Sequence, residues 1–207
     1  MITAGWQPPK LTGRSSSFLA GGVVLLIIAV MVASAIFEGN EGPTANLAPG
    51  DPIPDYAARS ADGSYVSVRD FPGKVVLLSF WATWCSDCVD QLPALQELKD
   101  EFQDQGLEVI SVSLDDRDPP WIQAYMDGGK HDWLNLYDNP EHVHEVFGWG
   151  RRLPKTVLVN RDGTVAVWWR GRLDPAAPEN RGLIEEAIAG KAVWRPEGKR
   201  AFPLPMK

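Results

Sequence analysis

The run Val75-Val76-Leu77-Leu78-Ser79-Phe80-Trp81-Ala82-Thr83-Trp84-Cys85-Ser86-Asp87-Cys88 holds both cysteines of this 207-residue chain. Its first seven residues are almost wholly apolar, the pattern of a buried β-strand. Beyond the cysteines, Val89, Leu92, Leu95, Leu98 and Phe102 recur at spacings of three and four, which predicts a helix with one apolar face. The two thiols therefore fall at a strand-to-helix junction. There the helix dipole and free backbone N–H groups favour a thiolate, the form of cysteine that exchanges disulfides. The competing reading of the same spacing is a pair of structural cysteines.

Outward from this junction the elements alternate. Leu107–Leu114 reads as a second buried strand, and the order strand-helix-strand predicts a parallel pair with a crossover helix. Upstream, Tyr65–Val68 follows Asp62-Gly63 and predicts a short leading strand or hairpin. Downstream, a polar loop from Asp115 to Asp118 leads to a helix from about Trp121 to Met126, with Pro120 in its first turn. A short helix is expected over Pro140–Phe147. The turn Asn160-Arg161-Asp162-Gly163 joins Thr156–Val159 to Thr164–Trp169, a hairpin signal. A last helix over Asn180–Ala189 ends at Gly190, a C-cap glycine. The fold class is α/β: a central mixed sheet flanked by helices, spanning residues 51–190.

The net charge of −7 argues against a nucleic-acid partner. Phe18–Phe37 carries no charged residue, and its 20 residues match a transmembrane helix crossing a core of roughly 30 Å. Lys10 and Arg14 precede it and Glu38 and Glu41 follow, which places residues 1–17 in the cytoplasm and the rest outside. Ala33-Ser34-Ala35 also has the form of a signal-peptide cleavage site. The apolar run continues past it through Ile36 and Phe37, so length favours an uncleaved anchor over residues 18–37. Residues 38–50 read as a linker and residues 191–207 as an irregular tail. The cysteines then face an oxidising, extracytoplasmic compartment.

In this order the elements resemble the thioredoxin superfamily, and most closely its membrane-anchored TlpA, ResA and DsbE-type (CcmG) branch. The resemblance rests on Gly73–Cys88 and on Leu153-Pro154-Lys155-Thr156-Val157-Leu158-Val159-Asn160-Arg161-Asp162-Gly163. It implies a thiol–disulfide oxidoreductase with Cys85 as nucleophile and Cys88 as resolving thiol. Pro154 would be a cis-proline that presents the Leu153 backbone to an incoming segment, and Trp84 would flank Cys85. The expected partners are protein disulfides or dithiols, including those of apocytochrome c, and a membrane thiol as electron donor. No cofactor beyond the redox-active Cys85–Cys88 pair is expected, and no metal.

Several residues depart from the family pattern. Ser86 and Asp87 stand between the cysteines where proline is frequent. The carboxylate of Asp87 would disfavour thiolates and push the pair toward a reductant, while Lys155 would push the other way. Gln91-Leu92-Pro93 replaces the usual Glu-x-Pro and removes a carboxylate, and Pro93 should kink the helix. Phe147–Leu153 does not match the DsbE-type Gly-Val-x-Gly-x-Pro-Glu loop. Two other functions remain open at this point. One is Cu(I) delivery by Cys85, Cys88 and one of His131, His142 and His144. The other is an anchored interaction module with redox-inactive cysteines. His142 and His144 do not share a helix face. Cys88 is followed by Val89, so no haem-attachment motif is present, and no Pro-x-x-x-Thr-x-x-Cys peroxidase signature surrounds Cys85.

Overall fold

The strand at Val75–Trp81 is buried along its whole length, so its alternating side chains must find partners on both sides of the sheet. A computed structural model describes residues 47–191. The expected cytoplasmic segment, the Phe18–Phe37 anchor and all but the first residue of the expected tail lie outside them. Among the described residues, no helix is long and apolar enough to cross a membrane.

Seven strands form one mixed sheet: β1 (Ala57–Arg59), β2 (Tyr65–Ser67), β3 (Val75–Trp81), β4 (Leu107–Ser113), β5 (Leu134–Tyr137), β6 (Lys155–Val159) and β7 (Val165–Arg170). Their order is β2-β1-β5-β4-β3-β6-β7. β3 pairs parallel with β4 and antiparallel with β6. The helices are α1 (Ser86–Val89), α2 (Leu92–Phe102), α3 (Pro119–Gly128), α4 (Pro140–Phe147) and α5 (Pro178–Ile188). This is a thioredoxin-like α/β fold.

Strand alternation sorts the core into two faces. Val75, Leu77 and Trp81 of β3 pack with Leu92, Leu95, Leu98 and Phe102 of α2. Val76, Leu78 and Phe80 point the other way, into a cluster with Val143, Phe147 and Trp149. Burying each such side chain contributes about 1.5–3 kcal/mol, so covering both faces of β3 dominates the stability of the sheet.

Three expectations are corrected. The helix after the cysteines is not continuous: α1 stops at Val89 and α2 starts at Leu92, with Pro93 in its first turn, where proline lacks no needed N–H. Strand β5 was not anticipated, since four residues are too short for a periodic signal, whereas β1 and β2 form the hairpin alternative around Asp62-Gly63. The fold also begins inside the expected 38–50 linker, since Leu47 is buried and the Gly50 N–H donates to Val165 O at 2.8 Å. The helix at Pro140–Phe147 and the hairpin turn stand as expected, and the helices near Trp121 and Asn180 begin two residues earlier.

Arg161, in that turn, ties the cysteine-distal end of the sheet together. Its guanidinium donates to Gly73 O at 2.7 Å, Gln105 O at 2.8 Å and Ile188 O at 2.8 Å. Gly106, at φ 97°, makes room for it: a Cβ there would meet Arg161 Nη1 at 2.8 Å. Arg161→Ala should lower the unfolding free energy by about 1–2 kcal/mol in urea denaturation. A change below about 0.5 kcal/mol would mean that water replaces these bonds without cost.

Candidate active site

Ala82, Thr83 and Trp84 carry the chain out of β3 and into α1, and a side chain from the neighbouring strand end shapes that exit. The Asp115 carboxylate accepts the Thr83 N–H at 3.0 Å and the Thr83 hydroxyl at 2.6 Å. The Ser113 hydroxyl, at the end of β4, donates to the same carboxylate at 2.8 Å. Asp115 read from sequence only as part of a polar loop. Its position directly after a buried strand in parallel pairing with β3 was the available signal.

Cys85 caps α1 with extended backbone, and its sulfur accepts the Cys88 N–H at 3.3 Å. Cys85 and Cys88 form a disulfide with Cα atoms 5.2 Å apart. The two sulfurs are not equivalent: Cys85 is half-buried, whereas Cys88 is 1 % exposed within the core. Trp84 stands 67 % exposed beside them, and Asp87 is exposed in the first turn of α1. Trp81 is instead a core residue whose indole N–H donates to Asn135 Oδ1 at 2.9 Å.

Behind the cysteines lies Gln91, 1 % exposed. Its amide nitrogen donates to Ser79 Oγ and Thr156 Oγ1, both at 3.2 Å, and its oxygen accepts the Leu173 N–H at 2.5 Å. Its own N–H bonds Cys88 O at 3.1 Å. One amide thereby joins α1 to β3, to β6 and to the segment after β7. The sequence signalled a lost carboxylate here. The folded chain has a fully used amide.

The Leu153–Pro154 peptide is cis. Lys155 pairs with Phe80 in the β3–β6 register, so the preceding Leu153 and Pro154 run beside the end of β3 from which the cysteine turn departs. Leu153 is half-buried. Lys155 does not face the thiols as expected. Thr156 points to the Gln91 side, so strand alternation sends Lys155 to the opposite face. There it is 7 % exposed, donates to Gly150 O and lies 5.8 Å from the Trp149 ring centroid. Burial, and then the nearby Arg170, pull its pKa down to about 8.

The histidines are dispersed. His142 Nδ1 lies 2.7 Å from Asp138 Oδ2, and His144 Nδ1 lies 2.6 Å from Trp149 O. His131 lines a groove of about 560 Å³ with Val89, Leu92, Pro93 and Tyr125. Among the described residues, no group of three or more His, Cys, Asp or Glu side chains could hold a metal ion.

Residues 49–168 match the AhpC/TSA family. The chain belongs to that family. Within it, the thiol–disulfide oxidoreductase ResA of Oceanobacillus iheyensis is 34 % identical over 168 residues, covering 79 % of this chain and 86 % of the relative. A Bacteroides vulgatus structure assigned as a thiol–disulfide oxidoreductase superposes with a TM-score of 0.60 at 26 % identity, covering 69 % of this chain and 99 % of that one. For the fold alone, a Chlorobium tepidum structure assigned as the thiol:disulfide interchange protein DsbE gives a TM-score of 0.62 at 24 % identity, with coverage of 69 % and 99 %. The ResA relative, with the Cys-x-x-Cys pair, identifies the chain as a thiol–disulfide oxidoreductase.

Gln91→Leu should cost about 2 kcal/mol or more of stability, because the buried Leu173 N–H is left without an acceptor. Thermal or urea unfolding at unchanged stability would contradict that assignment. Lys155 gives a pH signature. Its pKa is about 8 in the folded chain against an ordinary 10.5, so between these values only the unfolded chain holds the proton. Stability of the oxidised protein should therefore rise from pH 8 toward pH 10, and Lys155→Met should remove that rise. Parallel pH profiles for the two proteins would refute the shift.

Proposed function

We propose that this chain is a membrane-anchored, extracytoplasmic oxidoreductase that reduces protein disulfides through Cys85 and Cys88. The observation that carries the chemistry is the asymmetric pair: a half-buried Cys85 sulfur receiving the Cys88 N–H, and a buried Cys88 closed onto it. That N–H stabilises a thiolate on Cys85 in the reduced protein.

In the reducing direction, the Cys85 thiolate attacks one sulfur of a substrate disulfide. A mixed disulfide forms and the other substrate sulfur leaves as a thiolate. Cys88, deprotonated, then attacks Cys85 Sγ. The Cys85–Cys88 bond forms and the second substrate thiolate is released. Two electrons and two protons pass from the Cys85–Cys88 dithiol to the substrate, which leaves as a dithiol. A thiol donor must then return two electrons to the pair. Trp84, exposed beside the sulfurs, and the Leu153–Pro154 backbone are the proposed substrate contacts.

The reducing direction is favoured by charge. Asp87 stands exposed in the first turn of α1, whereas the Lys155 cation is turned to the far face of the sheet. The nearer charge opposes thiolates and so favours the disulfide form, which makes the dithiol the stronger donor. Anchoring through Phe18–Phe37, with the cysteines outside the cytoplasm, rests on the apolar length of that segment and on its flanking charges. The thiol donor would then be a membrane protein.

The reduction potential of the pair, measured in thiol–disulfide buffers, should lie at or below about −250 mV. A value near −120 mV would overturn the direction and make the protein an oxidant. Cys88→Ser should accumulate a mixed disulfide between Cys85 and substrate, while Cys85→Ser should give none. Full activity of Cys85→Ser would refute the assigned nucleophile.

A further inference from the structure

The turn that delivers Cys85 closes on itself through the Cys85 N–H and the Ala82 carbonyl, 3.2 Å apart. Trp84, Ser86 and Asp87 are exposed around it. Among the described residues, Asp115 alone sends a side chain from outside this segment to hydrogen-bond with residues 82–87. Its carboxylate accepts both donors of Thr83, the N–H at 3.0 Å and the hydroxyl at 2.6 Å. The Ser113 hydroxyl donates to the same carboxylate at 2.8 Å and so ties it to the end of β4.

Thr83 is half-buried, so water could satisfy its two donors without any carboxylate. What Asp115 adds is a charge-assisted grip at two points, which fixes where the turn stands on the sheet. The second sulfur is held by other means. Cys88 is 1 % exposed in the core, and its carbonyl accepts the Gln91 N–H at 3.1 Å. Each cysteine therefore has its own anchor, Cys88 the core and Cys85 the Thr83–Asp115 pair.

The two redox states depend on these anchors unequally. In the disulfide, the S–S bond itself holds Cys85 against Cys88. In the dithiol only the anchors do. An anchor that removes freedom from the dithiol raises the effective concentration of one thiol at the other, and so favours bond formation between them. We infer that Asp115 is a positioning residue for the redox pair: through Thr83 it preorganises Cys85 against Cys88, which makes the dithiol a stronger reductant and speeds closure of the mixed disulfide. This rests on the oxidoreductase reading above and deepens it. The other charged groups at this end, Asp87 on α1 and Asp116, Arg117 and Asp118 beyond Asp115, are exposed and make none of these bonds.

The test uses the full-length chain with glutathione as the probe. The Cys85 thiolate of the reduced chain attacks glutathione disulfide, a mixed disulfide forms and one glutathione thiolate leaves. Cys88 then displaces the second glutathione, so the chain loses the two electrons that the disulfide gains. Asp115→Ala should lower the equilibrium constant for forming the Cys85–Cys88 disulfide about tenfold, a rise of about 30 mV in reduction potential. Thr83→Val, which keeps the N–H bond and loses the hydroxyl, should lower it about threefold. Asp115→Asn, whose amide oxygen still accepts from Thr83, should stay within about twofold of the unsubstituted chain. In acid-quenched single turnovers, the mixed disulfide should persist about tenfold longer in Asp115→Ala, while its formation keeps the unsubstituted rate. If Asp115→Ala fails to fold, Thr83→Val carries the test. An equal shift in Asp115→Asn and Asp115→Ala would overturn the inference, because charge and not position would be the cause. So would an unshifted equilibrium in folded Asp115→Ala or Thr83→Val, or a parallel loss in the first attack. An unsubstituted chain inert toward glutathione disulfide would instead remove the oxidoreductase reading, and the inference with it.

Discussion

Gln91 sits where the short cysteine-bearing helix stops and the long helix begins, and its buried amide must find a partner for every polar atom it brings into the core. It does so by gripping Ser79 on β3, Thr156 on β6 and the Leu173 backbone after β7. Leaving any of these unmade costs more than making it gains, so the set acts as a unit. The consequence is geometric. The cysteine turn, the strand it leaves and the strand that follows the cis-proline are locked to one another through a single side chain. The break between α1 and α2 follows from this, because the residue at the break is aimed inward and Pro93 starts a new helix immediately after it.

The two faces of the sheet divide the labour. On one, Cys88, Gln91 and α2 pack against the odd-numbered side chains of β3. On the other, Phe80, Phe147 and Trp149 build an aromatic block in which Phe80 meets Trp149 edge-on at 5.5 Å. The α4–β6 connection rests on that second face and delivers the chain to Leu153 and Pro154 on the rim of the first. Cysteine chemistry and loop position are thus supported by different cores. A substitution in one can alter its own property while sparing the other.

The sequence carried the centre of the fold and lost its margins, for identifiable reasons. Val75–Trp81 and Leu107–Ser113 are long and apolar enough to read as buried strands, and the hairpin at Asn160–Gly163 has an unambiguous turn. β1 and β5 have too few residues to show a period, and β1 pairs with β5 at the single position Arg59–Tyr137. Lys155 shows a subtler failure. Adjacency in sequence to Pro154 suggested adjacency to the thiols, yet a strand turns successive side chains to opposite faces. Its parity with Val157 and Val159, which face away from the cysteine helix, carried the correct placement. The charge that Gln91 lacks matters less than the pair of N–H donors it brings beside its acceptor, since a carboxylate offers acceptors only.

The asymmetry of the cysteines follows from these constraints. β3 is buried to its last residue and Trp81 is fixed by Asn135, so the chain leaves the sheet only after Ala82. Asp115 then holds Thr83 at the exit, and the turn beyond it carries Trp84 and Cys85 to the solvent side. Three residues of helix later, Cys88 has rotated back over the core, where Gln91 anchors its carbonyl from behind. Cys85 is therefore open to solvent and Cys88 is not. The difference in access between the two sulfurs is set by where the strand ends and how far one helical turn rotates, and the Cys88 N–H held by the Cys85 sulfur adds to an asymmetry that the backbone already imposes.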